Sequence, residues 1–241
     1  MSGAVFVFIA FIATASFAME LMGARTASGA HVVEIALAGQ LCGFAVALAL
    51  AALWRARPMV LRLAPGMPLE PQRPWFARGA LATLPGAVLR YAVFLLGWVP
   101  LALFCIPAVW RALGWTIEPQ PHLAYFATPS LSPWFVGAAV SVALVGPIFE
   151  EVVFRGFLHD GLRARLGPRT TIAVVALLFG AMHVESGTYL LVPTALLGAF
   201  FGWLRERSDG LLAPIAAHVL HNAATVALVA SSPAFLDEVF R

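Results

Sequence analysis

Gly146-Pro147-Ile148-Phe149-Glu150-Glu151-Val152-Val153-Phe154-Arg155-Gly156-Phe157-Leu158 sets two adjacent carboxylates and an arginine inside a run otherwise apolar enough for a membrane span. A charge at the bilayer centre costs at least a few kcal/mol, so ionisable residues there are functional candidates. On a helix, Glu151 and Arg155 stand four apart and can pair along one face. Glu150 is rotated roughly 100° from its neighbour and lacks that partner. One carboxylate is thus neutralised and the other is available. An ion network that merely fixes helix packing would explain the pair by itself. The rest of the chain decides whether more is needed.

The surroundings are those of a polytopic membrane protein. Of 241 residues, 61% are hydrophobic and 11% charged, and the mean hydropathy is +0.88. Soluble domains carry roughly a quarter charged residues. The net charge of +3 rests on arginine alone, since the chain has no lysine. In such a chain that excess reports orientation rather than nucleic-acid binding, and no basic run with interleaved aromatics is present. Cys42 and Cys105 lie in apolar runs and read as small buried hydrophobes, neither a disulfide framework nor a metal site.

A span needs about 20 apolar residues. Seven runs qualify: Ala4–Met22, Val33–Trp54, Tyr91–Trp110, Ser132–Leu158, Thr170–Ser186, Tyr189–Leu204 and Leu211–Ala230. The first has no basic n-region and reads as a retained helix, not a signal peptide. Arg55 to Arg78 is a Pro- and Arg-rich connection whose tail, Trp75 to Leu89, suits a short interfacial helix. Arg111 to Leu131 is the other long loop. The expected fold is therefore all-α: a bundle of about seven transmembrane helices (six to eight), with the active site inside it. Arginines cluster in the second, fourth and sixth connections, which places these in the cytoplasm, the N-terminus in and the C-terminus out.

Two later spans carry polar residues in apolar company. Phe179 and His183 stand four apart in the fifth, His218 and Asn222 four apart in the seventh, so each pair shares a helix face. At 1.5 Å per residue, Glu150, His183, His218 and Asn222 all fall about 12–20 Å above the cytoplasmic ends of their helices. Residues serving only local packing had no need to agree in depth. One layer holding a free carboxylate, two imidazoles and an amide suits water attack on a carbonyl. Glu150 would act as general base. His183 would share the water or protonate the leaving amine. His218 and Asn222 would donate to the oxyanion, and Glu151 with Arg155 would hold the helix. The same Glu150, His183 and His218 could instead ligate zinc with one position open, although the His-Glu-x-x-His pattern is absent.

Glu-Glu-x-x-x-Arg followed by Gly, then Phe-x-x-x-His, then His-x-x-x-Asn, in that order on membrane spans, resembles the CPBP (CAAX protease and bacteriocin-processing, Abi) family of intramembrane endopeptidases. The match covers Gly146 to about Ala230. The resemblance implies a glutamic-type site of Glu150, His183, His218 and Asn222, supported by Glu151, Arg155 and Phe179, with no cofactor. Zinc is the alternative. It divides the single membrane domain into N-terminal helices with their cytoplasmic loop (1–130) and a catalytic helical core (131–241). His221 has no counterpart in the motif and reads as a packing residue. The expected partners are the lipid bilayer and a membrane-anchored or membrane-embedded protein or peptide substrate, with no nucleic acid. Processing of a C-terminal sorting tail is one form of that activity. All-arginine, Ala-rich usage suggests a bacterial inner membrane. The competing class is a non-enzymatic immunity or transport protein, whose titratable groups should string across the membrane's depth instead of sharing a layer.

Overall fold

The computed structural model describes residues 80–117, 121–184, 188–208 and 210–234, with a few helical positions between 38 and 49. The first expected span, the rest of the second and the Arg/Pro-rich connection lie outside the described residues. Those described form helices and turns, with no strand among them. The elements are α1 (Leu84–Pro100), α2 (Ile106–Ala112), α3 (Pro121–Phe126), α4 (Pro133–Val140), α5 (Gly146–Glu151), α6 (Asp160–Ala181), α7 (Leu191–Ser208) and α8 (Leu212–Ser231). Three π-helical stretches join them end to end: Leu101–Cys105 between α1 and α2, Ser141–Val145 between α4 and α5, and Val152–His159 between α5 and α6.

Among the described residues, four continuous helical stretches are long and apolar enough to cross a membrane: Leu81–Ala112, Phe135–Ala181, Thr188–Ser208 and Leu212–Ser231. The 47 residues of Phe135–Ala181 would reach about 70 Å if straight, twice a bilayer's hydrocarbon core. They are broken at Gly167, whose φ of 71° and ψ of 167° leave the helix, directly before Pro168. Only glycine takes that conformation without strain, and proline withholds the next donor. The fourth and fifth expected spans are the two legs on either side of this break.

Three boundaries differ from the sequence reading. The third span starts at a 3₁₀ turn, Ala80–Thr83, and enters α1 at Leu84, because Pro85 suits a first helical turn. Of the tail expected as an interfacial helix, the described residues 80–89 are part of that span. The connection from Arg111 to Leu131 contains the short α3. The fifth span stops at Ala181, so His183 lies in the turn beyond, with its N–H on Gly180 O at 3.0 Å.

Small residues bring the legs together. A Cβ on Gly180 would lie 2.5 Å from Leu191 O and 2.9 Å from Ala195 Cβ. One on Gly198 would lie 3.1 Å from Phe179 Cδ1 and 3.2 Å from Ala176 Cα. α6 and α7 therefore meet backbone to backbone, the packing that lipid favours where burial offers no hydrophobic gain. The outer faces stay apolar: Leu89, Val93, Leu96 and Phe104 are exposed. Cys42 and Cys105 are also exposed rather than buried, since such a chain offers much of its apolar surface to lipid.

Candidate active site

α5 presents the two glutamates in opposite circumstances. Glu151 is fully buried, and its Oε1 accepts from Arg155 Nη1 at 2.8 Å and from His218 Nδ1 at 2.9 Å. Arg155, also fully buried, donates from Nη2 to Gly198 O at 2.8 Å. Its guanidinium carbon lies 4.6 Å from the centre of the Phe179 ring, 5.4 Å from Phe201 and 5.8 Å from Phe154. A charge so enclosed is held by hydrogen bonds and ring faces together. Glu150 has no such company. Its Oε2 is buried without a hydrogen bond, and His218 Nε2 stands 3.9 Å away, beyond bonding range.

His218 is the hinge of the arrangement. Since Glu151 accepts, Nδ1 carries the proton and Nε2 faces Glu150. The ring stacks on Phe201, centroids 4.7 Å apart, and stands edge-on to Phe179 at 5.7 Å. His183 joins through the same Phe179, whose centroid is 4.9 Å from its own. It donates from Nδ1 to Phe179 O at 2.8 Å, so Nε2 of the neutral ring is left as an acceptor. Asn222 arrives from the other side, donating from Nδ2 to Val142 O at 2.9 Å, on the turn that precedes Gly146. The structure thus joins Glu150, Glu151, Arg155, Phe179 and His218 directly. His183 is linked to them through Phe179, and Asn222 through the backbone before α5.

His221 belongs elsewhere. Its Nδ1 meets Tyr91 Oη at 2.9 Å, and its ring stands edge-on to Trp98 at 4.9 Å. Trp98 in turn donates to Pro193 O at 3.0 Å. These contacts pin α1 against α7 and α8.

A second polar cluster was not anticipated. His159, fully buried, donates from Nε2 to Glu206 Oε1 at 2.8 Å. Arg163 Nε donates to both Glu206 oxygens, at 2.8 and 3.0 Å. Arg205, also buried, donates to Asp160 at 2.7 Å. The signal was available: Arg155, His159 and Arg163 repeat every four residues along one face. Arg155 meets Gly198, whereas His159 and Arg163, further along, both meet Glu206, so the glutamate-bearing leg and α7 run in parallel.

For a metal, the donor set is poorly placed. Among the described residues no three His, Cys, Asp or Glu side chains converge closely enough to hold an ion.

Comparison with known proteins bears on the same stretch. Residues 132–224 match the family described as type II CAAX prenyl endopeptidase Rce1-like. Over these residues the chain is similar to that family. The stretch contains all seven motif residues, from Glu150 to Asn222, and the resemblance read from the three motifs is borne out for it. Among curated proteins, "Putative membrane peptidase YdiL" of Bacillus subtilis (strain 168) is 31% identical over 80 residues, covering 33% of this chain and 32% of that one. The match therefore spans about a third of that relative's length. No solved structure matches. The apolar helices and the family together make this an integral membrane protein.

Proposed function

We propose that the chain is an intramembrane endopeptidase in which Glu150 activates water against a peptide bond of a membrane-anchored or membrane-embedded substrate. One observation carries the reading: Glu151 is fully buried and held through Oε1 by Arg155 and His218, whereas its neighbour Glu150 is half-buried and accepts from neither, although each keeps an Oε2 without a partner. A general base needs a free lone pair that solvent or substrate can reach, and of the two carboxylates only Glu150 is partly exposed.

The water's two protons can go to Glu150 and to His183 Nε2, both acceptors. As the water oxygen forms its bond to the carbonyl carbon, Glu150 takes a proton and the carbonyl oxygen becomes the oxyanion. The C–N bond then breaks, and that proton passes to the departing amine by way of Glu150 or His183. Asn222 has a second Nδ2–H beyond the one given to Val142, and can direct it at the oxyanion. His218 can donate from Nε2 only when its ring carries both protons, with Glu151 accepting from Nδ1. No step requires a metal. On this scheme, activity survives a chelator that removes accessible zinc, and one tightly held zinc per chain, lost together with activity, would overturn it.

The transport reading gains from the second polar cluster, which extends the titratable groups below the glutamates. Arg155 separates the two, however, and a guanidinium stays protonated and does not pass protons on. The positive-inside pattern supports an inner membrane with the catalytic leg descending toward the cytoplasm, and a bacterial peptide or sorting tail as substrate. The test is a survey of new peptide termini in membranes containing the chain or its Glu150→Gln variant. Termini that appear only with the unsubstituted chain are expected. Identical sets of termini would end the reading.

A further inference from the structure

The bond from Asn222 to Val142 O raises the question of why that carbonyl is free inside a helix. Ser141–Val145 is π-helical, and at its end the Gly146 N–H donates to Ser141 O, five residues back. Gly146 is the residue that would serve Val142 in an α-helix, and its donor is already used. In the π pattern the next donor would come from residue 147. That residue is Pro147, which has no N–H. The Val142 carbonyl is therefore stripped of both helical partners by the local sequence Gly146-Pro147. In lipid an unpaired backbone carbonyl costs several kcal/mol, and neighbouring helices must supply what proline removes. Asn222 of α8 supplies it, at 2.9 Å.

We propose that Pro147 is a positioning residue for catalysis: by emptying the Val142 carbonyl it fixes the Asn222 amide, and so aims that amide's second N–H at the reacting carbonyl. The argument rests on the peptidase reading only for that last step. The carboxamide's orientation follows without choice, because a carbonyl acceptor requires the NH₂ end. The device also ties α8 to the turn carrying the glutamates. Glu150 follows Pro147 by three positions, and a Cβ on Gly146 would lie 3.2 Å from Ser141 O and 3.8 Å from Glu150 Oε1. Donor and base are therefore set by one piece of backbone.

Pro147→Ala restores an N–H to the turn, and the experiment crosses it with Asn222→Ala. In detergent, Asn222→Ala alone should lower the melting temperature by several degrees, since Val142 O is left buried and unpaired. The double variant should recover most of that loss, because the restored backbone N–H takes the carbonyl. Activity should not recover. Pro147→Ala alone should reduce kcat by about 10- to 100-fold with KM little changed, and the double should be no slower than Asn222→Ala alone, as expected for residues acting as one unit. A double variant less stable than Asn222→Ala, or Pro147→Ala with unchanged kcat, overturns the proposal. The thermal half stands even for a chain that cleaves nothing, so failure of the peptidase reading is distinguishable from failure of this one. Should Pro147→Ala not fold, hydrogen exchange of the Asn222 side-chain amide in the unsubstituted chain decides. One slow and one fast proton support the proposal; two equally fast protons refute it.

Discussion

Two clusters of glutamate, histidine and arginine lie along one helical leg and do different things with the same residue types. In the lower cluster, Glu206 gives both oxygens to partners: His159 and Arg163 share one, and Arg163 takes the other as well. In the upper cluster Glu151 is engaged through Oε1 alone, by Arg155 and His218, and a second, half-buried carboxylate, Glu150, stands beside it without a hydrogen bond to its Oε2. The difference teaches that burial of charge in this bundle is not itself the mark of the site. The lower cluster, whose one glutamate has both oxygens engaged, joins helices. The cluster with one carboxylate too many has something left to react.

That comparison can be broken most forcefully at Glu150. Glu150→Gln removes the base but no hydrogen bond, so hydrolysis should fall by about 100- to 10,000-fold while folded yield from membranes is unchanged. Glu151→Gln should show the reverse emphasis. It leaves Arg155 buried beside a neutral amide, and removing one partner of a buried pair costs about 3–5 kcal/mol. Size-exclusion recovery and thermal melts should register that as lost folded protein. If the two phenotypes are exchanged, the roles given to the two carboxylates are wrong.

The lower cluster sharpens the contrast. Glu206→Gln weakens charge-assisted bonds to His159 and Arg163, each worth about 1.5–3 kcal/mol, so the melting temperature should drop while kcat per folded molecule stays within about twofold of the unsubstituted value. A large loss of kcat there would make the two clusters one functional unit. The smallest effect belongs to His221→Ala. It deletes the bond to Tyr91, a loss of about 1 kcal/mol, visible in a melt, with turnover again nearly unaffected.

Much of the upper cluster was legible because helix periodicity is a strong constraint. Spacings of four predicted that Glu151 would meet Arg155 and that Phe179 would lie beside His183, and both contacts are present. Periodicity within one helix could not say which helices would touch. Nothing in the sequence showed that His218 would bridge from Glu151 toward Glu150, or that Gly198 O would receive Arg155. The π-helical stretches were also invisible, because they arise where prolines and tertiary contacts override the regular repeat. They explain why Asn222 bonds a backbone carbonyl. The lower cluster was missed for a different reason. It lies just beyond Leu158, the cytoplasmic end expected for the fourth span, and residues near an edge are expected to be solvated, yet the His159 and Arg205 side chains there are fully buried.

The direct test of Glu150 as the water-activating base is isotopic. Membranes containing the chain are incubated in ¹⁸O-labelled water, and newly formed peptide C-termini are weighed by mass spectrometry. One ¹⁸O per new carboxylate is expected with the unsubstituted chain and with Glu206→Gln, and no such termini above background with Glu150→Gln. Labelled termini formed by Glu150→Gln at the unsubstituted rate would contradict the account.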